Sequence, residues 1–264
     1  MTQTLPPMDV RLMNATASVV FTGVFLLLCA AAVGWALRNP AFAIARVEVF
    51  GNPQHSNALA LRANVLPQLQ GNLFTLNLAA ARQAFEQMPW VRSATLRRAF
   101  PNTLQVQLEE HQPVALWEDE TGSAMVNSFG EVFEANRGEV EHENLPRLAG
   151  PQEQSAQVLA MYRDLLPQFA GLPVHPAALY LTPRGNWQMY LSNGAQLELG
   201  AGEPVEVGQR LAHFLQSLPE ALAPLGRSMN GLEYADLRHG NGYAMRLRGV
   251  VTDATQGPQR GARR

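Results

Sequence analysis

Apolar and polar positions fall into three regimes along the chain, and the first is the least ambiguous. From Leu12 to Leu37 no charged residue occurs, and Ala15 to Leu37 is apolar or small throughout, bounded by Arg11 and Arg38. At 1.5 Å per residue such a helix reaches roughly 35 Å, enough to cross a hydrocarbon core of about 30 Å. Trp35 falls near one end, where an interfacial aromatic belongs. A cleaved signal peptide carries an apolar run of only about 7 to 15 residues, and a lipoprotein site at Cys29 would want a small residue where Leu28 stands. The pattern predicts a tail over 1–14, a permanent membrane helix over 15–37 and a linker over 38–44. Arg11 on one side against Arg38 and Arg46 on the other leaves the orientation open by charge. The short tail favours a cytoplasmic N-terminus with the remainder on the far side.

The second regime mixes the two soluble periodicities. Ala45 to Val49 alternates apolar and charged residues and predicts a half-buried strand that ends at Gly51-Asn52. A polar, helix-compatible stretch from Asn57 to Leu66 is closed by Pro67. Leu78, Ala81, Phe85 and Met88 then recur at helical spacing, with Asn77 placed as N-cap and Pro89 as stop. Val91 to Arg98 predicts a strand and Pro101-Asn102 a turn. In the strand that follows, Leu104, Val106 and Leu108 alternate with Gln105, Gln107 and Glu109. The order is β-α-α-β-β, a mixed sheet with two helices on one face.

The pieces Val47-Glu48-Val49-Phe50-Gly51-Asn52, Gly71-Asn72-Leu73-Phe74, Pro89-Trp90-Val91, Arg97 to Leu104 and Glu109 to Trp117 stand in this order behind a single membrane helix. Together they resemble the FtsQ/DivIB family of bacterial cell-division proteins, in which the segment matching residues 45–112 is a POTRA domain. Phe100 stands where the family often has tryptophan. Each piece also has a plain scaffold meaning: Gly51 and Gly71 as turn glycines, Trp90 as a plug where helix meets strand.

The third regime is rich in hairpins. Strands are predicted at Val114 to Glu118, Met125 to Asn127 and Val132 to Glu134, and a helix from Ser155 to Phe169 with Val158, Tyr162, Leu165, Leu166 and Phe169 on one face. Leu179 to Leu181, Trp187 to Leu191 and Gln196 to Leu199 follow, the last two joined by Asn193-Gly194, which predicts a type I′ turn. A second helix, Val205 to Leu222, carries Val207, Leu211, Phe214, Leu215 and Leu218 as a stripe. Gly231 to Arg238 and Tyr243 to Leu247 close the set. The class is therefore α+β: a membrane helix, the POTRA domain, and over 113–250 a β-rich domain with an antiparallel sheet and two helices. Residues 251–264 show no periodicity and predict disorder.

Composition then narrows the function. The formal net charge is −2 and all 20 positive residues are arginines, so no phosphate-backbone footprint is expected and nucleic acid is excluded as a partner. Cys29, inside the apolar run, is the only cysteine, which leaves the exported part without a disulfide or a thiolate metal site. Between Glu109 and Glu143 ten acidic residues stand against the single Arg137. That stretch reads as a solvated face or as a patch for a basic partner. The six histidines are scattered, and no nucleophile elbow, phosphate loop or dinucleotide fingerprint occurs. Glu109, Glu110 and His111 are consecutive, so in a strand they point to opposite faces and cannot converge. No catalytic residue, metal, cofactor or small-molecule substrate is expected, and the chain is not expected to be an enzyme.

What remains is protein binding, with an exposed sheet edge as the physical route. The resemblance implies that the last strand binds FtsB, which comes with FtsL, at the division septum of the inner membrane. FtsW, FtsI and FtsK are further expected partners. The matching contacts here are Arg238, His239, Asn241, Gly242, Tyr243, Met245 and Leu247. The family often has an aromatic directly after Asp-Leu-Arg, so either His239 or Tyr243 holds the central place. Tyr243, Met245 and Leu247 can equally form the core face of an ordinary final strand. Two other classes stay open: a POTRA-containing export or envelope-assembly factor, and an anchored enzyme or ligand-binding protein with a polar-lined pocket.

Overall fold

A computed structural model describes residues 8–249, apart from 52, 57–60, 62, 70, 120, 121, 123, 141–143, 240 and 241. The chain forms two compact units, Met1–Glu110 and His111–Arg264.

In the first unit, α1 (Met8–Arg38) contains a span, Leu12–Arg38, long and apolar enough to cross a membrane. It gives way to a 3₁₀ turn at Pro40–Phe42, capped by Asn39, whose Oδ1 accepts from Ala41 N at 2.9 Å. β1 (Arg46–Phe50) follows. The first helix expected in this unit lies largely outside the described residues; Leu61, Ala63 and Asn64 are helical, and Leu66–Gln68 is a 3₁₀ turn that starts one residue before Pro67. α2 (Leu78–Glu86) begins where the sequence places its cap, with Asn77 Oδ1 accepting from Ala79 N and Ala80 N at 3.0 and 3.1 Å. β2 (Val91–Ala99) and β3 (Thr103–Glu110) form an antiparallel hairpin. β1 pairs with β3 in parallel, Arg46 opposite Thr103 and Phe50 opposite Gln107, giving the order β1-β3-β2. Ala81, Phe85 and Met88 from the helix side meet Leu104, Val106 and Leu108 from the sheet in one buried cluster.

The second unit is a nine-stranded sheet with two helices. Its strands are β4 (Pro113–Trp117), β5 (Ala124–Asn127), β6 (Val132–Glu134), β7 (Arg147–Ala149), β8 (Pro176–Leu181), β9 (Trp187–Leu191), β10 (Gln196–Gly200), β11 (Leu232–Asp236) and β12 (Ala244–Leu247). The helices are α3 (Ser155–Leu165), between β7 and β8, and α4 (Pro204–Leu222), between β10 and β11. The spatial order is β12-β11-β10-β9-β8-β7-β4-β5-β6. The expected antiparallel sheet is in fact mixed, because β4-β7, β7-β8 and β10-β11 pair in parallel. A parallel pair needs a crossover, and α3 and α4 are two of them. Both helices pack on the same side as Trp187, Met189 and Leu191 of β9, in a single core that includes Val158, Leu165, Leu211 and Phe214. The opposite face carries Gln188, Gln196 and Glu198, whose carboxylate accepts from both glutamine amides at 3.0 and 2.8 Å, and the neighbouring rings of Tyr180 and Tyr190.

Two local expectations change. The helix from Ser155 ends at Leu165, and Leu166–Phe169 is 3₁₀, since Pro167 has no N–H to continue the α-helical ladder. The Asn193-Gly194 turn is not type I′. Its loop runs Ser192 to Gly194, Leu191 N donates to Ala195 O at 2.9 Å, and only Gly194 takes a positive φ, of 81°. This is the three-residue hairpin in which a glycine in the left-handed region absorbs the extra residue.

Candidate functional site

Among the described strands β12 is paired with β11 alone. Among the described strands nothing covers its other side, so alternate N–H and C=O groups of Ala244–Leu247 face outward without a ladder. The antiparallel register sets Ala244 opposite Asp236, Met245 opposite Ala235, and Leu247 opposite Leu232.

The turn into this strand is fixed by an ion pair. Asp236 ends β11 and is buried, and Arg238 folds back on it: Nε donates to Oδ1 at 2.9 Å, Nη2 to Oδ2 at 2.5 Å, and the Arg238 backbone N–H to Oδ1 at 3.0 Å. Those hydrogen bonds hold the Asp236 carboxyl below the usual carboxylate range against the opposing effect of burial, and they raise the Arg238 guanidinium further above its ordinary value. Arg238 also lies over the end of β10. A side-chain carbon built on Gly200, at φ 79°, would stand 2.9 Å from Arg238 Cγ and 2.6 Å from Arg210 Nη1, so a larger residue would displace the two arginines in addition to taking a left-handed backbone. Arg210, on α4, donates to the carbonyls of Leu199 and Ala201.

The expected contacts separate into groups. Arg238 and His239 are exposed and, with Glu206, Arg210, His213 and Tyr243, line a groove of about 500 Å³ between α4 and the turn. Gly242 is exposed beside them, and Asn241 lies outside the described residues. Tyr243 is half-buried, its ring edge-on to Phe214 at 4.8 Å and its hydroxyl within 3.1 Å of Ser217 Oγ. Met245 is half-buried against the same core, and Leu247 belongs to that core at 6% exposure. The inward face of β12 is therefore core. The outward components are its backbone edge and the side chains of Ala244 and Arg246, with Arg246 held by Glu233 at 3.1 Å and stacked 5.7 Å above the Tyr234 ring.

Arg210, His213 and Ser217 were not legible as site residues in sequence. They recur at three- and four-residue spacing beside the apolar stripe of α4, and only the fold brings that flank against Tyr243. Glu109 and Glu110 do point apart: Glu109 accepts from Ser93 Oγ at 2.9 Å, and Glu110 from the N–H groups of Gln54, His55 and Ser56. Among the described residues no group of three His, Cys, Asp or Glu side chains is arranged to hold a metal.

Comparison with known proteins agrees with this architecture unit by unit. The family model for the FtsQ-type POTRA domain matches residues 42–111, and that for the C-terminal region of the cell division protein FtsQ/DivIB matches 115–238. The chain is 40% identical to the cell division protein FtsQ of Burkholderia pseudomallei over 252 residues, 94% of this chain and 98% of that one. FtsQ of Thiomonas arsenitoxydans is 39% identical, covering 92% of this chain and 89% of its own. FtsQ of Bordetella pertussis is 36% identical, covering 90% and 92%. With one apolar helix, an FtsQ-type POTRA unit, a matching C-terminal unit and relatives aligned over about nine tenths of both chains, the chain belongs to the FtsQ family of cell-division proteins.

Proposed function

We propose that the free edge of β12 recruits a membrane-bound division partner by strand addition, and that the partner is FtsB, arriving with FtsL. The carrying observation is that among the described residues β12 has one ladder partner and an unpaired outer side, beside the exposed turn at Arg238 and His239. Strand addition supplies main-chain hydrogen bonds, and side-chain pockets alongside supply specificity. The groove between α4 and the turn, lined by His213, His239 and Tyr243, is such a pocket.

In this reading α1 holds the N-terminus in the cytoplasm and both soluble units in the periplasm at the septum. The tether confines encounters to the membrane plane, which raises the effective concentration of other membrane-bound proteins without a new contact. The protein then acts without catalysis, joining early division proteins to the later FtsW and FtsI group, with FtsK as a further contact.

Proline substitution tests the edge. Consecutive residues of a strand direct their N–H groups to opposite sides, so of Ala244→Pro and Met245→Pro one removes a ladder bond to β11 and the other only an outward donor. Arg248 N donates to Gly231 O, so by alternation the outward donor is that of Met245. Met245→Ala trims the same half-buried side chain and keeps the N–H; against that control Met245→Pro is expected to melt alike and to lose capture of FtsB by about tenfold or more. Equal capture by Met245→Pro and Met245→Ala would overturn the proposal.

A further inference from the structure

Outside α1, the first unit exposes Phe74 and Phe100 at the end where α1 leaves off, and Phe50 at the far end of β1. Phe74 is 42% exposed and Phe100, at the tip of the β2-β3 hairpin, 64%. Phe74 bridges Phe42 and Phe100, with ring centroids 5.0 and 5.5 Å away. The register puts this tip beside the start of β1, since Arg46 pairs with Thr103 and both Ala45 N and Arg46 N donate to Asn102 O. The opposite end of β3, at Glu110, is where the chain leaves for the second unit.

Asn72 locks the cluster to the helix. It is buried, its Nδ2 donates to Leu37 O at 2.5 Å, and its Oδ1 accepts from Phe74 N and Thr75 N, both at 2.9 Å. Leu73 N donates to Phe42 O at 2.8 Å. Trp35, 66% exposed, sits two residues before Leu37, about 3 Å along the helix axis. A headgroup layer is roughly 5 to 8 Å thick, and aromatic side chains concentrate there. Leu37 O and Phe74 N are bonded to the two heads of the same Asn72 amide, so the Phe74 N–H is within about 8 Å of the helix end. The cations beside it are Arg38, in the last turn of α1, and Arg98, bonded to Leu76 O at 2.8 Å. Both suit lipid phosphate.

We infer that Phe42, Phe74 and Phe100 form a foot that seats the first unit in the headgroup layer of the same membrane that α1 crosses. The inference rests on α1 spanning that membrane. It concerns a surface separate from β12, with phospholipid as its occupant.

Cys29 is the only cysteine, so a Cys29→Ser background accepts one fluorophore at a chosen place. Full-length chains carrying Phe74→Cys, Phe100→Cys or Phe50→Cys are labelled with an environment-sensitive dye and placed in phosphatidylethanolamine and phosphatidylglycerol vesicles. Each label replaces one exposed ring and leaves the others. Phe50 is 45% exposed at the far end of β1 and serves as an apolar control. The labels at 74 and 100 are expected to be quenched by nitroxide lipid and shielded from aqueous iodide, with the reverse at 50. A label on Cys29 itself reports the bilayer. If lipid quenches Cys29 while iodide reaches 100 as freely as 50, the foot is overturned and the anchor stands. Absence of lipid quenching at both Cys29 and 100 would overturn the two together.

Discussion

At the scale of single residues, the charges that matter are those that fasten backbone. Glu110 accepts three N–H groups from the loop at residues 54–56. Burial works to raise its pKa, but the Ser56 side chain and these backbone donors outweigh it and bring it below the ordinary value. A carboxylate with a depressed folded-state pKa contributes stability that is fully present above its unfolded value, near 4.3, and is lost as pH falls through the folded one. Stability of the first unit should therefore decline below about pH 5, and Glu110→Gln should flatten that decline in acid melting curves. At neutral pH, Glu110→Ala leaves the loop donors without their acceptor and should cost about 1 to 2 kcal/mol by denaturant titration. The sequence showed that Glu110 and Glu109 point apart, by strand alternation. It could not show what Glu110 would hold, because its donors lie more than fifty residues away. Arg210 and Ser217 were hidden for the same reason: they become neighbours of the last strand only after α4 crosses the sheet.

Among the elements, the strands with strict alternation were readable and the pairings were not. Trp187–Leu191 was found to the residue, since Trp187, Met189 and Leu191 point inward and Gln188 and Tyr190 outward. β7 was missed. It is three residues long behind Pro146, with only Leu148 deeply buried, too short to display a period. Missing β7 also concealed the parallel pairs β4-β7 and β7-β8, and with them the mixed character of the sheet. Parallel neighbours are joined through distant crossovers, which local pattern does not register. One contact between elements is tight enough to test. Gly130, at φ 86° between β5 and β6, would carry its Cβ 2.6 Å from Ala156 Cα in the first turn of α3, and its carbonyl accepts from Ser155 Oγ at 2.6 Å. Gly130→Ala combines left-handed strain with a backbone clash and should cost about 2 kcal/mol or more, read as a lowered melting midpoint.

For the whole molecule, the division after Glu110 places each hydrophobic cluster inside one unit. Residues 111–264 produced without the preceding segment should accordingly fold and melt in a single cooperative transition, followed by near-ultraviolet circular dichroism and calorimetry. A product that binds hydrophobic dyes and lacks a near-ultraviolet signal would show that the first unit completes its core. The order of apolar helix, POTRA unit and β-rich unit was visible from the uncharged run, the five ordered motif pieces and the change to hairpin spacing. The position of β12 at the margin of the nine-stranded sheet has one more consequence. Its residues are the last of the described strands to emerge from the ribosome, after β11 and α4, the elements against which they lie. A polypeptide terminated before Ala244 would carry α1 and most of the sheet yet present the β11 margin instead, so the edge proposed for strand addition exists only once synthesis has passed Leu247.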